Sequence, residues 1–245
     1  GSGSNAGHVR VYQNSNGTWI QLGADIDGEY KNDESGISVS LSSSGHILAI
    51  GSDRNGGSPG ITGPGHVRVF EYNGNGWNQL GADIDPPASS STLNSGISVS
   101  LSGDGTKVAI GANSGGNNSG GVVRVYQYTN SWNQLGSGIH GSSSSYFGES
   151  VSLNSDGTTL AIGSPRYGTN NTGSAYVYKW GAKWTQKGAR IAGEANFDKF
   201  GTSVSINYDG TIVAIGAPEN NGGGSDAGHV RVYNYSSSSW SKIGS

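Results

Sequence analysis

The chain contains no cysteine and no methionine. The first absence removes disulfides, thiol catalysis and cysteine-based zinc sites. It leaves the compartment open, because a large β-domain needs no covalent staples. Charge is sparse as well. Charged residues make up 13% of the 245, the formal net charge is −3, and Lys and Arg do not cluster. That gives no electrostatic footprint for nucleic acid or an anionic membrane. No run of about 18 apolar residues occurs, so no membrane insertion by a helix is expected, and no signal peptide is visible. No stretch sustains a helical apolar period, so essentially no helix is expected. The nucleophile elbow G-x-S-x-G in its strand-to-helix setting is missing too.

What the chain has in excess is glycine, 44 residues, with serine and asparagine also frequent. Such a composition can mean disorder. Regular apolar alternation argues against it here: VRVY, SVSLS and LAIG keep returning. The most repeated stretch is Gly65 to Ile84, GHVRVFEYNGNGWNQLGADI. Versions run from Gly7 to Ile26, Gly121 to Ile139, Gly173 to Ile191 and Gly228 to Ser245, with starts 52 to 58 residues apart. A fixed period of this length is the mark of a repeat architecture. The opening GSGSNAGHVRVY matches the end of a repeat, GGSDAGHVRVY, which reads as a mature chain or a segment of a longer one.

Each period carries four strand signals with period-two alternation between turn residues. In the second complete repeat they are Gly96 to Ser102, Thr106 to Ala112, Val122 to Tyr128 and Trp132 to Gly136. Asp-Gly pairs at Asp104, Asp156 and Asp209 supply the positive φ that a tight hairpin needs, and Ser44-Gly45 is the weaker first copy. Four-stranded units of about 50 residues are the size of propeller blades. The expected fold is therefore all-β, a β-propeller of four-stranded antiparallel blades forming a single domain over residues 1–245. It has four complete blades plus an N-terminal half blade, Gly7 to about Ile26, or five blade equivalents. The half blade has no SVSLS and LAIG partners of its own. It is expected either to dock as a reduced blade or to pair with copies of the same chain.

The pattern Gly-x-Ser-Val-Ser, turn, Ala-Ile-Gly-(Ala/Ser)-Pro, then Gly-x-x-x-Val-Tyr resembles the FG-GAP repeat of integrin α-subunit propellers. The closest copies are Phe147-Gly148 with Gly163-Ser164-Pro165, and Phe200-Gly201 with Gly216-Ala217-Pro218. The other two copies have Ser-Gly and lack the proline. The resemblance covers nearly the whole chain. It implies a propeller, usually extracellular or at the cell surface, that works in adhesion or as a recognition scaffold; head-to-tail pairing through the half blade would instead propagate into a filament or other assembly. The implied partners are a protein or glycan ligand. The family's Asp-rich calcium loop is reduced here to GDGT, SDGT or YDGT, and one Asp in a tight turn cannot supply the six to eight oxygens of a calcium site. The S-x-D-G turns are similar to the Asp boxes of sialidase propellers but lack the G-x-T-W part.

Several side chains stand out. Asp25, Asp27, Glu29 and Asp33 in the linker ADIDGEYKNDESG are the calcium candidates, with turn capping as the plain alternative. No other cofactor is expected, and no catalytic residue is identified. His8, His66 and His229 recur at one strand start and read as structural. Arg10, Arg68, Arg124 and Arg231 recur on the third strand, as inter-blade hydrogen-bond donors. Trp19, Trp77, Trp132, Trp184 and Trp240 recur on the outer strand as packing anchors, whereas Trp180 stands outside that series. Asn16, Asn117, Asn170 and Asn234 are N-x-S/T sequons in turn-like segments, so the chain could be a glycoprotein. The sequence thus points to a non-enzymatic extracellular recognition or structural scaffold. The alternative is a polysaccharide-active propeller enzyme, a glycosidase or lyase, for which Glu194 and Asp198 are the available acid pair.

Overall fold

The computed structural model describes residues 3–58, 61, 63–87, 94–115 and 119–244. The alternating runs form strands throughout. An N-terminal unit holds β1 (His8–Val9), β2 (Tyr12–Ser15), β3 (Thr18–Gln21) and β4 (Ile26–Asp27), with β1 paired to β4 and β2 to β3. Sheet 1 is β5 (Ser38–Leu41), β6 (Ile47–Ser52), β7 (His66–Tyr72) and β8 (Trp77–Gln79). Sheet 2 is β9 (Ser95–Leu101), β10 (Lys107–Ala112), β11 (Val122–Tyr128) and β12 (Trp132–Gln134), with β13 (Ile139–His140) paired back onto β11. Sheet 3 is β14 (Ser150–Leu153), β15 (Thr159–Ser164), β16 (Ser174–Trp180) and β17 (Trp184–Gln186), with β18 (Ile191–Ala192) paired back onto β16. Sheet 4 is β19 (Ser203–Ile206), β20 (Ile212–Ala217), β21 (His229–Ser236) and β22 (Ser239–Ile243).

All strand pairs are antiparallel, and each sheet is a meander in chain order. The outer strands β8, β12 and β17 are three residues long, shorter than the run to Gly136 that the sequence suggests. The third strand of the N-terminal unit is broken between Val9 and Tyr12. Among the described residues no equivalent of β6 pairs with it, so only β4 and β3 define its ladder. Among the described residues, helix is limited to short 3-10 turns such as Thr169–Asn171. No helix among them is long and apolar enough to cross a membrane.

The core is divided into seams between consecutive sheets. Ala49, Val67 and Val69 of sheet 1 pack on Val99, Leu101, Val108 and Ile110 of sheet 2. Ala109, Val123 and Val125 then meet Phe147, Val151, Leu153, Leu160 and Ile162. Ala161, Ala175 and Val177 meet Phe200, Ile206, Val213 and Ile215. The N-terminal unit presents Val11 and Ile26 to Leu48, Ile50 and Phe70.

Polar bonds fix the register of each seam. The first serine of S-V-S donates to a glycine carbonyl of the next sheet: Ser38 Oγ to Gly96 O at 2.6 Å, Ser98 to Gly148 at 2.8 Å, Ser150 to Gly201 at 3.0 Å. The second serine accepts from a backbone N–H of the next sheet, as Ser40 does from Leu101, Ser100 from Leu153 and Ser152 from Ile206. The hairpin turns join hands as well, Ser43 N to Gly103 O, Gly103 N to Ser155 O and Ser155 N to Tyr208 O. On the outside the outer-strand tryptophan of each four-stranded sheet donates backwards: Trp77 Nε1 to Leu22 O, Trp132 to Leu80, Trp184 to Leu135 and Trp240 to Lys187, at 2.7–2.9 Å. The glycine of A-I-G is required by proximity. A Cβ at Gly51, Gly111 or Gly163 would lie 2.0, 2.1 or 1.9 Å from the carbonyl oxygen of Gly96, Gly148 or Gly201.

Candidate functional site

The seam chemistry runs out at two faces. On β5, Val39 and Leu41 are 52% and 48% exposed, whereas their counterparts Val99, Leu101, Val151 and Leu153 are all below 9%. Ile37 beside them is 47% exposed. In the N-terminal unit, β2 pairs only with β3, so its other edge carries unpaired backbone groups among the described residues. At the far end, Val230 is 64% exposed, whereas Val67 and Val123 are fully buried. Ser203 and Ser205 are exposed and lack the inter-sheet bonds of Ser38 and Ser40. A Cβ on Gly216 would meet only Ser203 of its own sheet. One face thus shows Ile37, Val39 and Leu41, and the other shows Ser203, Ser205 and Val230. These are the two sides of the internal seam.

The calcium candidates point into separate surroundings. Asp25 is gripped bidentately by Arg10 (Nε to Oδ1 2.8 Å, NH2 to Oδ2 2.6 Å) and bonded by Gln21, which holds its carboxyl well below the usual range. Asp27 lies on β4 opposite His8, and its carbonyl accepts from Arg68. Asp33 is buried; Oδ2 accepts from the Tyr30 N–H at 2.6 Å, and Oδ1 has no hydrogen-bond partner. Glu29 leans the other way, with Oε2 3.4 Å from Asn55 Nδ2 and 3.8 Å from His66 Nε2. Among the described residues, the one group of three ligand atoms close enough for a metal is Glu29, His66 and Asp83. The sequence groups His66 with His8 and His229 as structural. Burial separates them: His66 is 2% exposed, and His8 lies on the surface.

The turn aspartates are used by their own turns. Asp104 accepts from Ser102 Oγ, Thr106 N–H and Thr106 Oγ, and Asp156 and Asp209 accept in the same way from Thr158 and Thr211. Of the arginines, Arg68 and Arg231 do reach a neighbouring unit, at Asp27 O and Glu194; Arg10 stays within its own. The acid pair is also engaged. Glu194 is held by both Nε and NH2 of Arg231. Asp198 is fully buried and accepts from Ala195 N–H and Asn220.

Trp180 joins a series after all. It tilts against Trp184 at 5.3 Å, as Tyr72, Tyr128 and Tyr235 do against Trp77, Trp132 and Trp240. Trp19 departs from its own, being 67% exposed. Of the sequons, Asn16 and Asn170 are exposed in turns with positive φ, whereas Asn234 lies within β21 opposite Ile212 and Ser241, not in a turn. Asn117 lies outside the described residues. Between sheets 3 and 4 a groove of about 240 Å³ holds Tyr146 with Arg166 stacked 3.9 Å over it, and a Lys199–Glu219 ion pair.

Against known proteins, the FG-GAP repeat family matches residues 140–178 and 184–233, so the chain carries FG-GAP repeats there. No curated protein matches the chain. A solved structure from Bacteroides uniformis, provisionally assigned as a 6-phosphogluconolactonase, superposes with a TM-score of 0.60. It covers 93% of this chain and 60% of its own length, at 11% identity. The hydrazine synthase of Kuenenia stuttgartiensis gives a TM-score of 0.50 over 83% of this chain and 47% of its own, at 14% identity. The chain therefore spans less than two thirds of either, and at these identities the likeness is one of fold alone.

Proposed function

From FG-GAP repeats laid out as consecutive four-stranded sheets, we propose that this is a non-enzymatic, extracellular scaffold of the β-propeller kind. Its sheets act as blades, and it works by recognising a further FG-GAP blade. The observation that carries the reading is the uncovered face of β5. By analogy with the internal seams, where β6 packs on β9 and pairs with β7, the strip Ile37, Val39 and Leu41 and the free edge of β2 are the two surfaces that a preceding inner hairpin meets. One inner hairpin of the G-x-S-V-S-L…A-I-G type would cover the strip and pair the edge together. Exposed strand edges associate with other strands unless they are covered, and adjoining apolar side chains add the hydrophobic drive. The engagement of Glu194 and Asp198 in structural bonds favours a scaffold over a glycosidase.

A graft tests this directly. Residues 1–6 are replaced by a copy of residues 200–227, so that Ala227 precedes Gly7 as it precedes Gly228. Covering three half-exposed aliphatic side chains stabilises by roughly 1 kcal/mol each. After the cost of ordering the hairpin, Tm should rise by about 5 °C. Self-association of the parent, measured by sedimentation, should fall in the graft. An unchanged Tm with unchanged mass would remove the basis for the reading.

A further inference from the structure

His66 opens β7 and is buried where the linker after the N-terminal unit crosses sheet 1. Three carboxylates surround its ring. Glu29 Oε2 is 3.8 Å from Nε2; Asp83 Oδ2 and Asp85 Oδ1 are 3.7 and 3.9 Å from Nδ1. None of these is a hydrogen bond. Nε2 is out of reach of solvent and has no hydrogen-bond partner. Leaving a buried nitrogen in that state is unfavourable, and a ligand between the three groups would relieve it.

The repeat shows that this arrangement is specific to sheet 1. Asp25, the counterpart of Asp83, is taken by Arg10. Arg68, the counterpart of Arg10, reaches instead to Asp27 O and leaves Asp83 Oδ2 facing the imidazole. Glu194, the counterpart of Glu29, is claimed by Arg231. Among the described residues, only around His66 are both acids left facing the ring.

We propose that Glu29, His66 and Asp83 bind a divalent first-row transition-metal ion, with Zn²⁺ as its probe. One ligand atom from each lies within 4.8 Å of the other two. Zinc holds imidazole nitrogen and carboxylate oxygen at about 2.0–2.2 Å. The carboxylate side chains are 31% and 32% exposed and can turn inward to close that gap, while the imidazole is held by the sheet. An imidazole donor selects such an ion over calcium, which takes six to eight oxygens. Asp85, at 72% exposure, stands with Asp83 on the Nδ1 side of the ring. Burial pushes the His66 pKa down, assisted by Arg68 and opposed by Asp83, Glu29 and Asp85. It therefore favours the neutral, ligating form of the ring. The ion ties residue 29 to residues 66 and 83 across the first seam.

The test uses the full chain, stripped with chelator, loaded with Zn²⁺ and desalted. Elemental analysis should find stoichiometric zinc, and Tm should rise with Zn²⁺ and fall again with chelator. His66→Gln should abolish both effects. Glu29→Gln and Asp83→Asn should each weaken zinc binding by about tenfold or more, with unchanged far-ultraviolet circular dichroism to show an intact fold. Asp25→Asn should leave zinc binding unaltered. Zinc retention that is substoichiometric in the parent, or equal in all variants, overturns the proposal. So does stabilisation by Ca²⁺ in place of Zn²⁺.

Discussion

Trp77, Trp132, Trp184 and Trp240 each serve as a wedge and as a donor. The ring packs beside a tyrosine or tryptophan of its own sheet, and the indole N–H bonds the preceding sheet's carbonyl. The two contributions are separable. Trp132→Phe should lose about 1 kcal/mol, the scale of one net hydrogen bond. Trp132→Ala should lose about 3 kcal/mol, the lower end for a large aromatic. Trp19→Ala should fall within about 0.5 kcal/mol of the parent, because its ring lies in solvent. Urea midpoints would order the three. At this scale the sequence was legible wherever repetition carried the information. The place of Trp180 could have been read by aligning SAYVYKW with VVRVYQY. The distinct surroundings of His66 could not, because whether an arginine turns toward its own linker or the preceding one is settled by packing.

Within an element, the A-I-G strand gives a sharp comparison. Gly163→Ala drives a Cβ into the Gly201 carbonyl and should prevent or severely weaken folding. Gly216→Ala, at the same place in sheet 4, meets only the movable Ser203 hydroxyl and should be tolerated. Thermal melts of the two variants check the contrast. The hairpin turns make a pH prediction. Burial raises the Asp104 and Asp156 carboxyls, but hydrogen bonds from Ser102, Thr106, Thr158 and Asn154 outweigh it and leave both lowered; the Thr211 hydroxyl lowers Asp209. Lowered carboxyls stabilise above the unfolded value of about 3.9 and lose that contribution as pH falls through their folded values. A variant with Asn at all three positions should therefore show a shallower fall of Tm below about pH 4.

At the scale of the molecule, stability is a sum over seams rather than one centre, as in other repeat proteins. A charge placed in an internal seam, Val151→Lys, should unfold the chain. Val39→Lys puts the same charge on the open face. It should leave the melting curve nearly unchanged and suppress any association in sedimentation. The sheet count and strand order were readable from the period, because each hairpin turn and each alternating run is local. Which faces stay uncovered was readable only in part. The missing SVSLS and LAIG partners foretold the unpaired edge of β2, but not the open face of β5. Exposure of Val230 on the far side became visible only once the sheets were set side by side.

The seam has a consequence for the history of the chain. Every junction between the four-stranded sheets is written in the same few residues: two serines, one glycine, one tryptophan and a backbone carbonyl. A duplication that begins in one GHVRVY stretch and ends in the next therefore inserts a sheet whose two faces already fit both neighbours. A deletion between the same points heals the gap without new side chains. Copy number is then free to drift in steps of one period, while private features such as the cluster around His66 stay with the copy in which they arose.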